Sequence, residues 1–163
     1  MTRLGKESAG YSATQKILHW AVVALLVVNE FVVDGMGRLF RAHRDGTGGD
    51  YTATSLVHIA VGVAVLLLAL WRLSLRFTRG APPPPAGERP VFARIAGWTH
   101  AALYLLMLVI PLAGLAAWFG RVHELGDVHA FLASLLLYVA GLHVLGALVH
   151  QFVWKTNLIA RMT

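Results

Sequence analysis

The chain has 163 residues, of which 57% are hydrophobic and only 13% charged, against about 25% charged in a typical soluble domain. That balance excludes an ordinary soluble enzyme and points to an integral membrane protein forming one all-α unit. The lack of cysteine excludes disulfides, thiolate nucleophiles, iron–sulfur clusters and Cys-based zinc sites, and the net charge of +6 comes from basic residues flanking apolar segments, which argues against nucleic acid as a partner.

A bilayer core takes about 20 mostly apolar residues per helix. The first stretch of that kind covers roughly 16–33, ILHWAVVALLVVNEFVV, and nothing before it reads as a signal peptide. A Gly- and charge-rich connection follows, DGMGRLFRAHRDGTGGDY, and is expected to be a loop. The second span covers roughly 54–75 and contains SLVHIAVGVAVLLLALW. The next connection, TRGAPPPPAGERP, cannot continue a helix and reads as an extended linker. The third span covers roughly 95–119, with Pro111 inside it, and the fourth roughly 127–154, after the short loop GRVHELGD. The expected fold is a single-domain transmembrane four-helix bundle over residues 1–163.

Orientation follows from Lys and Arg. With the N-terminus cytoplasmic, ten of them fall inside, Arg3 and Lys6 among them, and four fall outside, so both termini are expected in the cytoplasm.

The unusual feature is histidine. The segment VHAFLASLLLYVAGLHVLGALVH holds His129, His143 and His150 and no Asp, Glu, Lys, Arg, Asn, Gln or Pro. Ionisable groups within a span are costly and usually face a cavity or the bundle interior. At 100° per residue, the 14 residues from His129 to His143 turn about 1400°, within about 40° of four full turns, and rise about 21 Å. His150 comes seven residues later, about 20° off His143. All three are thus expected on one face.

Depth sorts the histidines into two levels. His58 and His129 open the second and fourth spans and make an outer pair. His19, His100, His143 and His150 lie in the inner half, where His19 has His143 or His150 as a partner and His100 competes. Paired imidazoles from different helices suit haem iron, and filling both axial positions favours electron transfer over oxygen binding. Gly62 lies four residues beyond His58, Gly141 and Gly146 flank His143, and Gly114 follows Pro111; such residues allow close approach of helices or of a flat macrocycle. Trp20, Trp71, Trp98, Trp118 and Trp154 fall near span ends, as interfacial anchors do. Arg72 and Arg76 end the second span as inner anchors, with haem propionates or anionic lipid as alternative contacts.

The chain resembles the bacterial cytochrome b-561 family through YSATQKILHW (11–20), the segment around His58 with its exit WRLSLRF, HAALYLLMLVIPLAG (100–114) and LHVLGALVHQFVWKTNLIARM (142–162). The resemblance implies a multi-pass inner-membrane protein with two haem b groups, one held by His58 and His129 and the other by His19 and His143. It implies exchange of electrons with the quinone pool, superoxide oxidation coupled to ubiquinone reduction being the best-known activity. His150 and Trp154, with Lys155, then become candidates for a quinone site. The electron donor would be periplasmic, either superoxide or a redox protein. Two other functions stay open on the residues: an electron-transfer subunit serving a separate dehydrogenase or cytochrome, and a His-lined metal-ion or proton transporter. The transporter needs carboxylates within the spans, and only Glu30 comes near one.

Overall fold

Four of the helices begin at residues suited to begin one. Ser12 and Gln15 form a reciprocal cap: Ser12 Oγ accepts from the Gln15 N–H (3.4 Å) and Gln15 Oε1 accepts from the Ser12 N–H (3.1 Å), which starts α1 (Ala13–Phe31). Thr52 and Ser55 do the same for α3 (Ala53–Arg79). Pro90 occupies the first position of α4 (Pro90–Trp118), where its missing N–H costs nothing. Glu124 and Asp127 place negative charge in the first turn of α5 (Glu124–Leu148), facing the positive end of the helix dipole. A single π-helical turn, Val149–Val153, extends α5. This computed structural model describes residues 10–31, 33, 36–85 and 87–163. Arg3 and Lys6, used above for orientation, and Glu7 and Asp34 lie outside the described residues.

The described residues are all-helical, with no strand among them. One helix, α2 (Met36–Arg44), forms where the sequence pattern gave a loop. Its nine residues hold no breaker after Gly37, and Leu39 is buried while the Phe40 ring packs against Trp118 and His123. Among the described residues three helices are long and apolar enough to cross a membrane: α3, α4, and α5 with its π extension. The pair α1 and α2 provides a fourth if the two form one broken span.

Gln15 at the start of α1 donates from Nε2 to the Gly80 carbonyl at the end of α3 (3.1 Å), so these helices run antiparallel. The short turn before Glu124 folds α5 back along α4, its most extensive partner. The core sits mid-bundle and joins all four long helices through Val22, Val65, Ala69, Leu106, Ile110 and Leu136. Of the α5 residues only Leu136 is buried, so α5 keeps most of its surface clear of its neighbours. Outward faces carry large apolar side chains such as Leu67, Phe77, Leu105, Phe131 and Tyr138, as a lipid-facing surface requires.

The start of α1 and the C-terminal segment lie together. The Tyr11 N–H donates to the Arg161 carbonyl (3.4 Å), Trp20 Nε1 donates to the Met162 carbonyl (2.8 Å), and Arg161 Nη1 donates to the Pro83 carbonyl (2.7 Å). The proline-rich connection is therefore tied down at this end of the bundle. At the opposite end, Trp118 is 8% exposed and its Nε1 donates to Tyr51 Oη (2.7 Å), so it is a packed residue and not an interfacial anchor. The other four tryptophans are exposed, from 40% at Trp154 to 77% at Trp98. Replacing Tyr51 with Phe is expected to leave a buried N–H unpaired and to cost about 1–3 kcal/mol, seen as a lower thermal midpoint of the purified protein.

Candidate functional site

The antiparallel packing brings six histidines into the bundle, most of them at one of two levels. At the Tyr51–Trp118 end, His58 of α3 faces His129 of α5 with ring centres 5.9 Å apart and planes at 66°. His129 Nδ1 lies 2.8 Å from the Ile110 carbonyl, so that nitrogen carries the proton and donates it, leaving the Nε2 lone pair for a metal. The ring lies directly against Gly114. A Cβ there would stand 2.9 Å from Nδ1 and 3.0 Å from Cε1. Gly114 is thus a seat for the imidazole.

At the other end, His19 of α1 faces His143 of α5 with ring centres 6.2 Å apart and planes at 70°. His100 of α4 also approaches His143, at 5.0 Å, and its Nδ1 lies 2.6 Å from the Ala96 carbonyl of its own helix. A metal–imidazole distance of about 2.0–2.1 Å, plus about 1 Å from nitrogen to ring centre, puts two axial rings roughly 6 Å apart. The His58–His129 and His19–His143 pairs match that spacing; His100–His143 is too close. At that spacing the ring opposite His19 is that of His143. Arg72, on α3, has its Nε and Nη1 buried without a hydrogen-bond partner among the described residues. Arg76 lines a groove between α3 and α4 with Leu73, Phe77 and Tyr104.

His150 stands in the π turn, where the Trp154 N–H bonds the Val149 carbonyl five residues back (3.0 Å). The ring packs edge-on against Trp154, with centres 4.5 Å apart, and is buried. Its Nδ1 lies 3.0 Å from Thr156 Oγ1, and its Nε2 lies 3.7 Å from Glu88 Oε1. His150 and Trp154 thus come together, while Lys155 is exposed at the next turn with φ of 52°. Glu88 and Thr156 went unnoticed in the sequence reading. A lone glutamate in a Pro- and Arg-rich connection carries no periodic signal.

Two paired-imidazole levels in an apolar bundle are a cytochrome's feature, and comparison with known proteins decides the matter. Residues 10–163 match the prokaryotic cytochrome b561 family. The chain belongs to that family. A cytochrome b562 of Cereibacter sphaeroides is 34% identical to this cytochrome over 160 residues, covering 96% of each chain. A probable superoxide oxidase CybB of Yersinia pestis is 27% identical over 173 residues, covering 93% of this chain and 94% of its own. Cytochrome b561 homolog 1 of Escherichia coli is 23% identical over 177 residues, covering 93% and 96%. The protein is accordingly a membrane-integral electron-transfer cytochrome, and its family implies b-type haem.

The residues present fit that group. Among the described residues no three His, Asp or Glu side chains gather as they would around a bare ion. The imidazoles come in pairs at axial spacing, with the equatorial donors left to a macrocycle. Arg72 offers a buried cation with donors uncommitted. A Cβ added to Gly62, Gly141 or Gly146 would meet nothing within 4 Å, so these glycines leave clear surface beside His58 and His143 and are not spent on helix packing.

Proposed function

We propose that this protein is a di-haem b-type cytochrome of the bacterial inner membrane that passes electrons to the quinone pool, oxidising superoxide and reducing ubiquinone. In this reading four spans place both termini in the cytoplasm, with α1 and α2 forming the first as a broken span. The carrying observation is the two cross-helix imidazole pairs at 5.9 and 6.2 Å, one toward each end of the bundle. The contact between the start of α1 and the C-terminal segment and the ten-to-four Lys and Arg distribution support the orientation.

His58 and His129 would hold one haem and His19 and His143 the other. Haem supplies one-electron chemistry when bound, and the chain sets the ligands and the surroundings. His129 presents Nε2 because the Ile110 carbonyl holds its Nδ1 proton. Arg72 would neutralise a propionate, and Arg76 a propionate or a lipid phosphate. Arg41 of α2 adds positive charge at the donor end, while Arg44 is paired with Asp45 (3.1 Å), so the field drawing in a small anion is local and modest. His150 and Trp154, with Lys155 nearby, would form the quinone site, where the imidazole gives a proton as the quinone is reduced.

A reduced-minus-oxidised spectrum with haem quantification tests the reading, and two haem b per chain are expected. Superoxide added with a soluble ubiquinone analogue should reduce the quinone. Normal haem content with no response to superoxide would move the chain to service of a separate dehydrogenase. His150→Leu is expected to keep both haems and to slow quinone-dependent reoxidation by about 10²-fold or more, the scale of a lost general acid. An unchanged rate would remove His150 from the site.

A further inference from the structure

Three short contacts around His150 carry more than the quinone reading uses. Thr156 Oγ1 donates to the His150 carbonyl (3.2 Å), which commits its only proton. The same oxygen can then only accept from His150 Nδ1 at 3.0 Å, so Nδ1 is held as an N–H donor. Proton gain and loss on this imidazole therefore fall to Nε2. Facing Nε2 at 3.7 Å is Glu88 Oε1, whose side chain is 5% exposed while that of His150 is 10% exposed. Among the described residues no other charged side chain pairs with either group.

A carboxyl group is rarely buried without a use for it. Glu88 is fixed by its surroundings: its N–H donates to the Pro85 carbonyl (3.1 Å), Pro90 starts α4 two residues later, and Arg161 anchors the proline run at Pro83. At 3.7 Å, Nε2 and Oε1 are too far apart to hydrogen-bond each other. That spacing lets one oxygen atom stand about 2.8 Å from both. The connection that sequence composition marks as a spacer thus delivers an acid to an imidazole whose tautomer is set from behind.

We infer that Glu88 is a positioning and proton-supplying residue for quinone reduction, acting through His150 Nε2; this rests on the quinone reading above. Two one-electron equivalents, supplied by the protein's electron-transfer activity, enter the quinone. The Nε2–H bond breaks as an O–H bond forms at the near carbonyl oxygen, and the other oxygen takes its proton from solvent, giving the quinol. Glu88 takes a proton from water at this end of the bundle and returns it to Nε2, which restores the imidazolium. Thr156 keeps Nδ1 out of the exchange throughout.

The test uses the full chain with both haems, turned over with its donor and a water-soluble ubiquinone analogue. Glu88→Gln should lower kcat on the order of tenfold, less than the loss of a direct general acid. KM and the reduced spectrum should not move, and Glu88→Asp should restore part of the rate. The double variant with His150→Leu should be no slower than His150→Leu alone. Wild-type kcat in E88Q beside a slow H150L overturns this inference and leaves the quinone site standing; wild-type kcat in H150L overturns both. Thr156→Val, which leaves Glu88 in place, should also lower kcat, and a wild-type rate there overturns the inference even where E88Q fails to assemble.

Discussion

His129→Leu is expected to lower the haem content from two per chain to one and to abolish transfer from the donor side. Leucine fills similar volume and suits a span, and His129 lies outside the buried core, so the bundle should survive the change. What goes is one of the two imidazoles that would hold the haem at that level, together with the carbonyl contact that aims it. His58 alone at that level has no second imidazole within pairing distance among the described residues. His143→Leu should remove the other haem. His100, already near His143, is the available substitute, but its Nδ1 is bound to the Ala96 carbonyl of its own helix, which holds its ring toward α4. The two variants should leave complementary absorption bands that sum to the wild-type spectrum, measured against haem extracted per milligram. Two haems retained in His129→Leu would refute the outer pair.

The outer pair was legible in the sequence because it needs only depth: His58 and His129 open their helices at the same end, and helix rise fixes the rest. The inner partner was not legible. His100, His143 and His150 all lie in the inner half, and periodicity says which face of its own helix a residue occupies, not which neighbour stands opposite. The coordinates put the His143 ring 6.2 Å from that of His19 and pack His150 against Trp154, and no periodic pattern announces either contact. The helix α2 was hidden for a related reason. MGRLFRAHR is too short and too charged to stand alone, and Phe40 gains its partner only when Trp118 arrives from the far end of α4. Trp118 in turn looked like an anchor because its position near a helix end is all the sequence shows. Glu88 was invisible because its partner comes from a helix remote in sequence. The family likeness supplied the ligand set that depth left ambiguous, and family membership is now shown over residues 10–163.

Gly114→Val is expected to cost the same haem as His129→Leu, although Gly114 is no ligand. In the wild type the Nδ1 and Cε1 atoms of His129 lie 2.9 and 3.0 Å from the place a Cβ would take, closer than real Cβ contacts come, so even Ala forces the ring to move. The ring has little freedom to give. Its Nδ1 is bound at 2.8 Å to the Ile110 carbonyl, one turn back on the same helix as Gly114, and its far side must face His58. Moving away from Cβ lengthens the carbonyl bond and pushes Nε2 toward His58, out of line for an axial nitrogen. Alanine should therefore weaken the outer site and alter its spectrum with partial loss of haem, and valine should empty it, with overpacking costing about 1–3 kcal/mol. If Gly114→Val binds two haems with an unshifted spectrum, the close contact between this glycine and His129 does not govern ligation. A graded loss from Gly through Ala to Val would show that α4, which supplies no haem ligand in this reading, sets the geometry of the outer site through one missing side chain and one carbonyl.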